Sequence, residues 1–467
     1  MERNPFRPLI SAGFAQNKRA ALVPRGLGNQ PADMILHTMG DTAYLVDFPG
    51  EPDAGLLAKV RAFAAGLAAD RIEGVTDIVP AYGSVGVVYE PERVRAARGE
   101  LPWRVVGEWL ERHIEGKVRA ATKKARAPRT VEIPVVYGGE HGPDLEGVAK
   151  TARLSVAEVI KRHSAAVYHV AAIGFSPGFP YLVGLPSELA APRRATPRVR
   201  VPAGSVGIGG AHTGVYPRET PGGWQLIGRT GLDLFRPERA ERPCLLEVGD
   251  RVRFRPVEKL SVFPAPAEER AAGRKNAAES SVEVEVLKPG TLCTVQDLGR
   301  RGFASLGLGP GGALDPWAAA VANLAVGNDP HAPLLECTYV GPVLRFSSPT
   351  VVAATGAESN GLPSGRPVVF QAGEVLDCSS LSRGARLYLA FAGGVRVAPV
   401  LGGAGTVVSS RFGGHEGRVL LAGDRLVIGP RGEIATGAGW RLASPVPSPA
   451  RKETVVVRLV PGVDWDR

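Results

Sequence analysis

Apolar positions recur along this chain at two different periods. Behind Asp53, a good helix cap, Leu56, Leu57, Val60, Phe63 and Leu67 fall at helical spacing, and Val105, Val106, Trp109, Leu110 and Ile114 mark a second amphipathic helix. Residues 43–46 and 85–89 read as strands. The pattern predicts a small α+β domain over residues 34–128, with the basic segment 117–129 as a hinge. Residues 1–33 show no period and are rich in Arg, Gly, Pro and Asn, so a disordered extension is expected, and Met34 opens a better-patterned sequence.

A strand is predicted over 131–137. The pair Ser155 and Glu158 then forms a capping box opening a helix expected to run to about His169. Beyond Gly174 the chain becomes short strands and Gly/Pro turns, predicting a β-barrel with one helix over residues 129–258. Residues 259–281 have almost no apolar content and read as a linker. Strict alternation resumes at Val282 and begins a third domain, taken over residues 282–467. Gly249-Asp250 and Gly423-Asp424 sit at similar places late in the two β-rich runs, a weak internal repeat that chance could also produce.

Composition agrees with a mostly β chain: 59 Gly and 40 Pro, with only 6% aromatic residues, favour strands and tight turns over a helical bundle. The net charge of +10 is spread over scattered basic residues with no stacking aromatics interleaved, which argues against nucleic-acid binding. No 18-residue apolar stretch and no signal-peptide core are present, so neither a membrane span nor secretion is expected. The four cysteines (Cys244, Cys293, Cys337, Cys378) form no C-x-x-C pair, as expected for buried free thiols in a cytoplasmic protein.

Two glycine motifs invite functional readings. Gly174-Phe-Ser176-Pro-Gly178 fits G-x-S-x-G, but a nucleophile elbow needs a strand before and a helix after, whereas here a helix is expected to precede and Pro177 and Pro180 disfavour one after; a structural turn is expected. Gly307-Leu-Gly309-Pro-Gly-Gly312 fits G-x-G-x-x-G ahead of a helix capped by Asp315 with Pro316 at its first position, without the βαβ context of a dinucleotide fold. No P-loop motif exists. The run 196–235 sets His212, Thr213, Tyr216, Thr220, Trp224, Arg229 and Thr230 among many glycines. It reads either as a pocket wall for an oxygen-rich small molecule or as barrel turns capped by hydroxyls. A further polar set comprises Thr294, Gln296, Asp297, Arg300, Arg301, Asp315, Asn323 and Glu336, with Arg411 and His415 later.

The same runs carry a resemblance. Residues 174–186, 201–210, 213–217 and 220–224 resemble the allophanate hydrolase subunit 1 family, which includes the B subunit of 5-oxoprolinase and the Kip-type inhibitors of a sporulation kinase. Thr294-Val-Gln-Asp-Leu-Gly-Arg300, Gly312-Ala-Leu-Asp315 and Phe412-Gly-Gly-His-Glu-Gly-Arg418 resemble the subunit 2 family, which includes the C subunit of 5-oxoprolinase and the carboxyltransferase part of urea carboxylase. The resemblance implies cyclophilin-like β-barrels, a head-to-tail fusion, and a second-module pattern that normally continues beyond Arg467, so truncation is expected.

It further implies ATP-dependent opening of 5-oxo-L-proline to L-glutamate in the cytoplasm, with ATP, Mg²⁺ and, as partner in a hetero-oligomer, a separate protein like the A subunit of 5-oxoprolinase. Arg229 and His212 would then stabilise charge or orient substrate, with Asp297 a Mg²⁺ or proton-transfer partner. Thr213, Tyr216, Gln296, Arg300, Asp315, Asn323 and His415 would contact substrate or nucleotide. The rival readings are a carboxyltransferase acting on urea or another amide, whose biotin-bearing partner this chain lacks, and a regulator binding a histidine kinase. Departures from the pattern are His212 for Gln, Gly231 for Pro, and Gly403 and Gly405 where serines are usual.

Overall fold

The computed structural model describes residues 34–97, 100–116, 128–239, 241–260 and 282–430, all within the unit that begins at Met34. The expected N-terminal extension, most of the hinge and linker, and the residues after 430 lie outside the described residues.

The first sheet is antiparallel, in the order Ile35–Thr38, Ala43–Asp47, Ser84–Tyr89, Val75–Ala81. Alternation sends Tyr44, Val46, Val85 and Val87 inward. Helices α1 (Ala54–Ala69) and α2 (Pro102–Ile114) close the core with Leu57, Val60, Leu67, Trp109 and Leu110. Asp53 caps α1 as expected, its carboxylate accepting from Leu56 N at 2.7 Å.

Seven strands then close a barrel. In spatial order they are His212–Val215, Pro180–Val183, Tyr168–Ile173, Arg251–Pro256, Thr130–Tyr137, Gln225–Arg229 and Ser205–Gly209, the last pairing back to the first. Ile133, Val135, Val170, Leu182, Val206, Ile208, Ile227 and Phe254 fill it. Two helices rather than the expected one, α3 (Leu145–Ala152) and α4 (Val156–Ala165), pack against it, α3 burying Leu145, Val148 and Ala149, and Ser155 caps α4 through Glu158 N at 3.2 Å. The helix expected to reach His169 ends at Ala165. Residues 168–173 instead form a barrel strand, because burial of Tyr168, Val170, Ala171 and Ile173 between strands outweighs local helical spacing. A strand, not a helix, therefore leads into the G-x-S-x-G loop, and another strand follows it.

In the remaining described chain, Val375–Asp377, Val343–Phe346, Val282–Lys288 and Arg425–Ile428 form one sheet. Leu292–Gln296, Leu334–Thr338, Leu381–Phe391, Thr350–Ser359 and Val368–Phe370 form a second. The two share one core through Val284, Val295, Leu335, Leu344, Leu389 and Phe391. Helix α5 (Pro316–Ala325) covers the second sheet. All four cysteines are buried free thiols, and Cys293 faces Cys337 across paired strands with sulfurs 2.9 Å apart.

The Gly-Asp repeat is local. Gly249 and Gly423 both hold positive φ, and the following Asp accepts the amide three residues back, Glu247 N to Asp250 at 3.1 Å and Leu421 N to Asp424 at 2.7 Å. Yet the strand that follows pairs parallel to its module's opening strand in one case and antiparallel in the other.

Candidate functional site between the two modules

The two glycine motifs meet in space. Gly178 N donates to Leu306 O at 2.9 Å. Gly307, at φ +76°, lies so close that a Cβ there would stand 2.9 Å from Ser176 O and 3.1 Å from Gly174 Cα. Only glycine permits both that dihedral and that approach. Around this contact the modules are joined by an apolar cluster of Phe235, Cys244, Leu308, Leu401 and Phe412. Asp77 adds a clamp, its two carboxylate oxygens accepting from Gly302 N at 3.2 Å and Ala304 N at 2.8 Å. Arg301–Glu90 at 2.9 Å and Arg411–Glu219 at 3.1 Å complete the seam.

Beside the seam lies a cleft of about 420 Å³. Its first-module wall is Phe175, Ser176, Pro177, Glu219, Thr220 and Pro221; its second-module wall is Gly307, Leu308, Gly309, Val407, Ser409 and Ser410. The Ser176 Oγ and Thr220 Oγ1 atoms are buried and make no hydrogen bond among the described residues. Phe175 holds φ +67° and stays 60% exposed, its ring set edge-on to Phe179 and Tyr216. Glu219 accepts from Arg200 at 2.9 Å and from Arg411, and these guanidinium contacts, Arg200's first, hold its carboxyl below the usual range.

Behind the cleft's second wall, Asp297, Gln296 and Arg300 organise the glycine-rich segment 403–414. Asp297 Oδ2 accepts from Ala404 N at 2.6 Å and Oδ1 from Gly299 N at 2.8 Å. Arg300, 3% exposed, donates from Nη2 to Gly405 O at 2.7 Å and lies 5.1 Å over the Phe412 ring. Gln296 Nε2 donates to Thr406 O at 3.2 Å. A Cβ at Gly405 would stand 2.7 Å from Gln296 Oε1 and 2.8 Å from Asp297 Oδ1. Asp297 is thus spent on loop amides, and among the described residues no group of three His, Cys, Asp or Glu side chains is arranged to hold a metal ion. The residues present do not fit a protein-held Mg²⁺ at Asp297.

The other expected site residues disperse. Arg229 and His212 pair with Ser205 and Gly209, the two ends of one strand, roughly 13 Å apart at about 3.3 Å per residue. Arg229 donates from Nε to Ala203 O at 2.8 Å. His212 stands edge-on to Tyr82 of the small domain, its pKa lowered by burial and then by Arg193. Thr213 is buried, donating to Gly207 O and accepting from His163 Nε2 at 3.0 Å. Tyr216 sits behind Phe175 with Phe179, its hydroxyl pushed up by burial.

Asp315 caps α5 through Ala318 N at 2.9 Å. Buried Asn323 donates to Ala332 O at 2.8 Å and Pro330 O at 3.3 Å, shaping the turn after α5. His415 lies 3.5 Å from Asp424, which Arg418 also grips. So the structure brings Gln296, Asp297 and Arg300 together behind the cleft and sets Tyr216 beside it. Arg229, His212, Asp315, Asn323 and His415 stand apart. Sequence reasoning misses Ser176 as a cleft residue, because G-x-S-x-G is judged there only as a nucleophile elbow, and it gives Glu219 and Ser410 no role.

Residues 34–246 match the carboxyltransferase domain, subdomain C and D, and residues 306–467 match the carboxyltransferase domain, subdomain A and B. Over 222 residues the chain is 43% identical to the B subunit of 5-oxoprolinase from Bacillus subtilis (strain 168), covering 47% of this chain and 91% of that one. Over 152 residues it is 41% identical to the C subunit of 5-oxoprolinase from Escherichia coli (strain K12), covering 31% of this chain and 49% of that one; it spans about half the length of this relative. Urea amidolyase of Saccharomyces cerevisiae is 36% identical over 152 residues, 31% of this chain and 8% of that protein. The crystal structure of TTHA0988 superposes with a TM-score of 0.71 at 34% identity, covering 87% of this chain and 78% of that one.

Proposed function

From a chain that belongs to the carboxyltransferase-domain family, joining a region like the B subunit of 5-oxoprolinase (subdomains C and D) head to tail with one like its C subunit (subdomains A and B), we propose a component of an ATP-dependent 5-oxoprolinase. It would open 5-oxo-L-proline to L-glutamate with a partner like that enzyme's A subunit. The observation that carries the reading is the cleft whose two walls come from the two modules. A lactam is resonance-stabilised and resists water. Transfer of the γ-phosphoryl group of ATP to the carbonyl oxygen releases ADP and activates the carbon; one water adds there and the ring nitrogen departs as the amine, leaving an acyl phosphate that a second water hydrolyses to carboxylate and phosphate. Such a sequence needs a site that orients the amide and limits water, with positive charge for the phosphoryl group. On this reading Mg²⁺ arrives with the nucleotide, and Asp297, Gln296 and Arg300 position the cleft wall.

The test combines this chain with its cognate A-type partner and measures glutamate and ADP from 5-oxoproline. Stoichiometric, ATP-dependent glutamate is expected; its absence refutes the reading. A second reading rests on the urea amidolyase similarity: carboxyl transfer from a biotinylated carrier to urea or a related amide. Carrier-dependent product without glutamate would favour it.

A further inference from the structure

We propose that the intermodular cleft is an amide-binding pocket, in which the Ser176 and Thr220 hydroxyls read the carbonyl oxygen and N–H of a small lactam while the nucleotide is held outside the cavity, with only its γ-phosphate reaching that oxygen during the reaction; this deepens the function proposed above and rests on it for the identity of the lactam. Ser176 is only 7% exposed, and its Oγ is buried without a hydrogen-bond partner among the described residues, as is Thr220 Oγ1. Both side chains line the same cleft. Leaving such an atom unsatisfied costs about 1–3 kcal/mol, so two of them on one cavity point to a ligand that supplies their partners. A hydroxyl both donates and accepts. Two hydroxyls therefore match an amide, which offers one acceptor and one donor on a planar group. The exposed Phe175 ring, held in place by Phe179 and Tyr216, gives that plane a face to lie against.

Charge argues for a neutral group inside. Among the described lining residues Glu219 alone is charged, and its carboxylate is kept ionised by Arg200 and Arg411. A triphosphate would meet that anion with no cation on the cavity wall. A lactam's own carboxylate would instead turn toward the two arginines that hold Glu219. Because Gly307, Leu308 and Gly309 come from the second module, the pocket exists only when both modules are docked.

Saturation-transfer NMR on the full chain, with 2-pyrrolidinone and 5-oxoproline as probes and ATP as competitor, tests this. Both lactams should bind, and ATP should displace neither. Ser176→Ala and Thr220→Val should each weaken binding about tenfold, the loss of one buried hydrogen bond, whereas Thr220→Ser should bind within about twofold of the parent. Thermal melts of each variant check the fold, and Thr220→Ser keeps the test independent of any packing loss in Thr220→Val. No lactam binding by the parent, unchanged binding in the Ser176→Ala/Thr220→Val chain, or displacement by ATP would overturn the assignment. Glutamate release in the presence of the A-type partner separates the two proposals. Turnover with unchanged KM in the double variant sinks the pocket and leaves the function standing. Hydroxyl-dependent lactam binding without any turnover does the reverse.

Discussion

His163 lies fully buried in the barrel, stacked on Phe254 with ring centroids 4.6 Å apart. Thr213 donates onward to Gly207 O and so accepts from His163 Nε2, which leaves Nδ1 to accept from the Tyr137 hydroxyl at 2.8 Å. Burial lowers its pKa to about 3, so the folded ring stays neutral where the unfolded one, near 6.5, gains a proton. The unfolded state thus binds more protons between those values, and this contribution to stability is complete above pH 6.5 and is lost as pH falls toward 3. Urea denaturation at pH 7.5 and 5.0 should show a drop in the parent about 2 kcal/mol larger than in His163→Gln; equal drops would refute the neutral, wired ring. Arg229→Ala, assayed with the A-type partner, separates a charge-stabilising role from its bond to Ala203 O. With the side chain at the far end of a strand from His212, kcat/KM should fall less than about threefold, and a larger loss with the fold intact would restore it to the reaction.

Elements owe their ends to short polar contacts that sequence patterns capture well. The caps Asp53, Ser155 and Asp315 were each legible, and each side chain accepts an amide in the first turn of its helix. Asp315 is thereby a structural residue of α5, whose first turn is also held by Tyr388 OH, which accepts from Asp315 N at 2.8 Å and donates to Glu336 at 3.0 Å. Asp315→Ala should cost about 1 kcal/mol by chemical denaturation, and Asp315→Asn much less; equal costs would show that charge, not capping, is what matters there. The misread stretch was 166–169, expected as the end of a helix. Its apolar residues satisfy either period over a short window, and pairing with Pro180–Val183 and Arg251–Pro256 decides for strand.

At the scale of the molecule, the cleft depends on how the modules dock. Asp77→Ala removes the acceptor of two amides in the 302–304 turn, and Gly307→Ala forces a side chain against the Ser176 loop at positive φ. Both should speed protease cleavage between the modules and weaken lactam binding together, while Asp77→Asn, which keeps one acceptor, should lie between; a Gly307→Ala chain with parental binding would mean that the seam does not shape the cleft. By itself the sequence determined helices α1, α2, α4 and α5, three of them with their caps, the strands at 43–46, 85–89, 131–137 and from 282, the order of modules and the family, because these follow from local period, turn chemistry and contiguous motifs; it missed α3 and left the short barrel strands unplaced. It also marked Gln296, Asp297 and Arg300 as a group, since neighbours in sequence stay neighbours in space. Only the tertiary structure decided that Arg229 and His212 stand at opposite ends of a strand. It alone set the two glycine motifs against each other and left the Ser176 and Thr220 hydroxyls unpartnered on one cavity. The cleft and its seam join residues more than about 100 positions apart, where no periodicity reaches and packing alone fixes the distance.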